Sequence, residues 1–150
     1  MESICLLLNI AAAKDWNIQQ IDVKTMFLCS LLPADEAQYL EQPEPFVEPG
    51  KEDWVWCLQR GLYGMKQSGH IWNKTMHKAM LGWGFARLHA DLCVYYRVTL
   101  LGTVLSTVHV DDFLIVSSSP EVSCSFKEEL RSLWDNIWPW QGMLLCGHCH

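Results

Sequence analysis

The period of the apolar positions changes several times along the chain, and each change predicts an element. Ile4, Leu7, Leu8, Ala11 and Ala12 recur at helical spacing, so residues 2–14 are expected to form an amphipathic helix packed on a core. Next, Ile18, Ile21, Val23 and Phe27 favour a strand that ends between Asp22 and Thr25. Residues 33–53 mix proline, glycine and acid, which predicts a surface loop with one short helical turn. The run WVWCL (54–58) predicts a short strand, and LYGMKQS (62–68) a glycine-containing loop. Ser68 is placed to cap a helix from about Gly69 to Leu81, with Trp72, Met76 and Ala79 pointing one way. Strand character resumes at DLCVYYRV (91–98) and runs on through LLGTVLSTVHV (100–110) and FLIVSS (113–118). Ser119 and Pro120 then suit the N-cap and first turn of a helix carrying Val122, Phe126, Leu130 and Leu133.

The order helix, strand, helix, strands, helix predicts an α+β fold: a small, largely antiparallel sheet covered by helices on one face. At 150 residues, half of them hydrophobic, the chain fits one domain with a sizeable core. No repeat or low-complexity tract interrupts it.

Within TVHVDDFLIV (107–116), two adjacent carboxylates, Asp111 and Asp112, break an apolar, β-branched run. Asp is depleted in strand interiors, so the pair marks a tight turn and the run is a hairpin. Two like charges side by side repel unless a cation or hydrogen-bond donors compensate them, and hard divalent cations select carboxylate oxygens. The pair is thus either solvated or part of a metal site. Asp22 ends another predicted strand of the same sheet. Three carboxylates converging at a sheet edge can hold two Mg²⁺ ions for phosphoryl or nucleotidyl transfer.

Charge alters this picture through its distribution. A net −6 and a pI of about 5.4 argue against a generally basic nucleic-acid binder. Residues 35–53, however, hold seven acidic side chains and one basic, whereas residues 60–97 hold six basic and one acidic. A basic central segment can face phosphates while the acidic site binds metal. Seven cysteines without framework spacing, and an opening without a basic n-region and too short to span a bilayer, predict a reducing, intracellular setting without membrane attachment. Cys146, His148, Cys149 and His150 are zinc-type ligands crowded too closely to close one tetrahedron.

Read together, DVKTMFL (22–28), EQPEPFV (41–47), LYGMKQS (62–68), the pair Trp72 and Asn73, LHADLCVY (88–95) and HVDDFLIV (109–116) resemble, in order and spacing, the reverse transcriptase of copia-type LTR retrotransposon Pol polyproteins. The resemblance covers residues 1–134 and implies a polymerase palm, truncated, with its fingers and thumb incomplete. Residues 135–150 diverge and are expected to be a disordered tail. By this resemblance, Asp22, Asp111 and Asp112 are the catalytic and metal-binding residues, using two Mg²⁺ ions or Mn²⁺. Val23 offers its backbone near the metal and triphosphate, and Phe27 lies beneath the incoming sugar, where a ring excludes a 2′-hydroxyl. Gly64, Lys66, Gln67 and Ser68 form the turn that contacts template and nucleotide. The implied partners are an RNA or DNA template-primer, deoxynucleoside triphosphates and other regions of a retrotransposon polyprotein, in the cytoplasm (in virus-like particles) or the nucleus.

Two positions depart from the family pattern. His109 replaces the usual tyrosine and puts a titratable ring beside two carboxylates. Gly69 replaces a proline, which loosens the turn. Two rival readings stand beside the polymerase: a non-catalytic transposon-derived remnant that binds nucleic acid without polymerising, and an acidic metal-dependent phosphohydrolase.

Overall fold

A computed structural model describes residues 2–23, 31–137 and 143–146. Helix α1 (Glu2–Lys14) leads into strand β1 (Asn17–Asp22), and β2 (Gln38–Glu41) and β3 (Val55–Leu58) follow. Helix α2 (Ser68–Gly82) precedes four strands, β4 (Ala86–Arg87), β5 (Val94–Thr99), β6 (Gly102–His109) and β7 (Asp112–Ser117). Helix α3 (Pro120–Ile137) and strand β8 (Met143–Cys146) complete the order. The main sheet is five-stranded and antiparallel, in the order β1-β7-β6-β5-β4, and a second sheet runs β2-β3-β8. The expected α+β class with an antiparallel sheet is therefore what the chain forms.

The expectation that helices cover one face needs correction. Phe113 and Ile115 of β7, with Tyr95 and Val104, pack against α2 and α3 through Met76, Met80, Phe126 and Leu130. The alternate residue Val116, with Val94 and Leu105, packs on the opposite face against Leu7 and Ala11 of α1. The cause is legible in FLIV itself: a strand apolar at consecutive positions is apolar on both faces, and both must be covered. Phe126 anchors the larger core. It is fully buried, with ring centroids 4.7 Å from Phe85, 6.2 Å from Trp83 and 6.5 Å from Phe113.

Smaller differences have equally local causes. Ser68 does not cap α2: the N-cap is Gln67, and the Ser68 hydroxyl instead donates to the Leu62 carbonyl at 2.8 Å. The loop before β3 holds two 3₁₀ turns, Ala34–Glu36 and Glu44–Phe46, and the exposed strand β2 between them. Within the divergent tail, Met143–Cys146 pairs antiparallel with β3. An apolar four-residue run there lies beside an open strand edge. Residues 147–150, with His148, Cys149 and His150, lie outside the described residues.

Candidate active site

Antiparallel pairing brings the end of β1 to the start of β7. Asp22 lies directly opposite Asp112, so their side chains leave the same face of the sheet. His109, the last residue of β6, is opposite Asp112 on its other side. One row across three strands thus reads Asp22, Asp112, His109, and all three are exposed. Gln20 shares the face of Asp22, two residues before it, and its Nε2 donates to Asp112 Oδ1 at 3.0 Å. Period-two spacing was the signal for Gln20; it lies upstream of the motif that draws attention to Asp22.

Only Val110 and Asp111 connect β6 to β7. Asp111, half-buried, sits in the turn proper, while Asp112 is the first strand residue rather than part of the tip. The backbone N–H of Val23 donates to the Asp111 carbonyl at 2.9 Å, so the β1 ladder continues to the turn. The Val23 side chain is buried in the core. Val110 has φ 58°, a left-handed conformation rare for a β-branched residue. The Trp72 indole Nε1–H donates to the Val110 carbonyl at 2.7 Å.

The turn before α2 lies at the same end of the molecule. Gly69, Trp72 and Asn73 share with Val110 a cleft of about 170 Å³ that Tyr95 and Val108 also line. Gly64 takes φ 91°, which glycine adopts without strain, and Gly64 and Lys66 are exposed while Gln67 is half-buried. Ser68 is 1% exposed and its hydroxyl is engaged, so it fixes the turn and does not present a group to a ligand. Phe27 lies outside the described residues.

Carboxylate oxygens are the donors that Mg²⁺ and Mn²⁺ prefer. Among the described residues no three His, Cys, Asp or Glu side chains are grouped to hold a metal ion on protein ligands alone. The two facing carboxylates still fit Mg²⁺, which is commonly held by one or two carboxylates completed by water and substrate phosphates. Among the described residues no helix is long and apolar enough to cross a membrane.

This fold and these motifs coincide with a known class. The family model for reverse transcriptase (RNA-dependent DNA polymerase) matches residues 1–136, and the chain belongs to that family. The resemblance to copia-type retrotransposon Pol polyproteins is borne out by its relatives. It is 37% identical over 114 residues to a putative transposon Ty5-1 protein of Saccharomyces cerevisiae, covering 76% of this chain and 36% of that protein. It is 35% identical over 136 residues to the retrovirus-related Pol polyprotein from transposon TNT 1-94 of Nicotiana tabacum, covering 90% of this chain and 10% of the polyprotein. The Pol polyprotein from transposon RE1 of Arabidopsis thaliana is 31% identical over 118 residues, with 79% and 8% covered. The chain thus spans about a third of the first relative's length and about a tenth or less of the two polyproteins.

Proposed function

We propose that this chain is the palm region of a copia-type RNA-directed DNA polymerase. In this reading it adds deoxynucleotides to a primer 3′-hydroxyl on an RNA or DNA template. The observation that carries the reading is the pairing of Asp22 with Asp112 at the mouth of the β6–β7 hairpin, with Asp111 in the adjoining turn. Asp22 and Asp112 would hold divalent metal, Mg²⁺ or Mn²⁺, completed by water and substrate phosphates, and Asp111 and the Val23 backbone are assigned to the same site by family motif alone. When bound, the metal lowers the pKa of the attacking hydroxyl and stabilises charge on the leaving phosphate.

The remaining work falls to this chain's own residues. Gln20 holds one Asp112 oxygen and so orients the carboxylate. Exposed Lys66 supplies a positive charge to phosphate from the turn before α2, and Gly64 and Gln67 offer backbone and side-chain groups to nucleotide or template. Phe27, five residues beyond Asp22, is assigned the position beneath the sugar by family motif alone. Attack of the 3′-hydroxyl oxygen on the α-phosphorus forms the new phosphodiester and expels pyrophosphate. Other regions of a polyprotein would complete the nucleic-acid channel in an intracellular setting.

Primer extension on an RNA template with Mg²⁺ or Mn²⁺, comparing the chain with its Asp111→Asn variant, tests this reading. Template-dependent extension that disappears in the variant is the expected result. A well-folded chain that binds template-primer without extending it would identify a non-catalytic remnant instead. Template-independent hydrolysis of small phosphate esters would identify a phosphohydrolase.

A further inference from the structure

Trp72 is 3% exposed, and a buried indole N–H needs an acceptor. It finds one at the carbonyl of Val110, 38 residues further along the chain. Val110 has no packing reason to hold its conformation, since it is 54% exposed and its φ of 58° opposes its own branched side chain. Of the two loop residues only Val110 takes a positive φ, a place where two-residue hairpins favour glycine. Something outside the hairpin must therefore hold the turn, and the Trp72 bond is directed at the strained residue itself.

We infer that Trp72 is a positioning residue: its indole N–H latches the Val110–Asp111 turn and so sets where Asp111 and Asp112 stand relative to Asp22. The consequence for metal binding rests on the polymerase reading above; the latch itself does not. The latch also ties the hairpin to the nucleotide-contacting turn, because Trp72 lies one helical turn beyond Ser68, whose hydroxyl holds Leu62. A shift of either turn is felt at the other.

Two amides separate a latch from general stability. The Val23 N–H is bonded to the Asp111 carbonyl and reports on the turn, whereas the Phe85 N–H is bonded to Met80 and reports on the core. Trp72→Phe keeps an aromatic ring and deletes the donor. Hydrogen exchange followed by NMR should show Val23 exchanging roughly fivefold to tenfold faster with Phe85 unchanged, the factor that losing one buried hydrogen bond corresponds to. Acceleration of both amides alike, or of neither, overturns the latch. In a Val110→Gly background the turn needs no external hold, so the same substitution should have a smaller effect, and an undiminished effect counts against the strain argument.

If Trp72→Phe does not fold, the indole proton of the unaltered chain decides the matter. A latch requires it to exchange no faster than the Val23 amide, and free exchange beside a protected Val23 overturns it. Mn²⁺ titration read by electron paramagnetic resonance tests the consequence: weaker binding in Trp72→Phe and loss in Asp112→Asn are expected. If the unaltered chain takes up no Mn²⁺, the metal reading fails, while the latch is still judged by the Val23 amide.

Discussion

Asp22 and Asp112 face each other across the β1–β7 ladder, and in the absence of metal their charges repel. Cross-strand partners have Cβ atoms about 5 Å apart. At that distance two unit charges repel by about 0.8 kcal/mol in bulk water and about 3 kcal/mol at an effective dielectric constant of about 20. Both side chains are exposed, so the low end applies, and a Debye length of about 8 Å leaves such a short separation largely unscreened. Asp22→Asn removes the repulsion and leaves the Gln20–Asp112 hydrogen bond in place. Without divalent metal the variant should be more stable than the unaltered chain by about 0.5–1 kcal/mol, or about 1–4 °C in Tm for a chain of this size. Mg²⁺ reverses the order. At a concentration about tenfold above its Kd it would stabilise the unaltered chain by about 1.4 kcal/mol, whereas the variant has lost a ligand. Thermal melts of both chains in chelator and in Mg²⁺ read all four states. An Asp22→Asn chain less stable in chelator, or one responding to Mg²⁺ as fully as the unaltered chain, would refute the assignment of these two carboxylates as one site.

Other perturbations test the frame that holds the site. Gly102 has φ 140°, and a Cβ there would lie 2.2 Å from Ser118 Oγ, which accepts the Thr103 N–H at 2.8 Å. Gly102→Ala should cost about 2–3 kcal/mol in urea unfolding through backbone strain and the lost hydrogen bond, and a near-neutral result would contradict this geometry. Arg97 Nη1 donates to both Glu129 oxygens at 2.8 and 2.9 Å and to the Trp83 carbonyl at 2.7 Å, with its guanidinium 4.5 Å from the Phe85 ring centroid. The two side chains are 11% and 27% exposed, so Glu129→Ala should cost about 2–3 kcal/mol, short of the loss on breaking a fully buried pair. A loss within the range of exposed pairs would show that the guanidinium is hydrated. The Ser3 hydroxyl, and then the Cys93 backbone N–H, hold the Asp91 carboxyl below its ordinary pKa. Because the folded value is depressed, this stabilisation is present above the unfolded pKa of about 4 and is lost as pH falls through the folded value. The stability advantage of the unaltered chain over Asp91→Asn should thus shrink in acid, and a constant difference from neutral to acid pH would disprove the coupling.

What the sequence made legible was whatever depended on local period. Helices α1 and α3, the β6–β7 hairpin and the apolar face Val122, Phe126, Leu130 of α3 follow from spacing, although of the α1 residues expected on the core only Leu7 and Ala11 are buried and Leu8 and Ala12 are exposed. Strands β2 and β8 escaped because neither declares itself: QYLE lies in an acidic, proline-rich stretch, and MLLC is an unpatterned apolar run that pairs only because β3 has an open edge. Ser68 misled because a small hydroxyl residue before a helix suits an N-cap, yet its burial sends the hydroxyl back to Leu62. Trp72 read as core, which it is; its hydrogen bond to Val110 spans two elements and has no signature in one-dimensional spacing.

The question raised by two acids in an apolar run has a structural answer in the same terms. Strand β7 lies between β1 and β6, and Phe113, Ile115 and Val116 are fully buried on its two faces. A carboxylate inside that strand would be stranded without water or partner, a cost of several kcal/mol. Charge is tolerable only where the strand emerges, which is at Asp112 and the turn before it. Antiparallel pairing places the last residue of β1 at that same end, so Asp22 meets Asp112 without any long connection between them. A doubly covered central strand therefore supports acid at its mouth. The core that holds it there, from Val23 to Leu130, is drawn from the span that matches the family, residues 1–136.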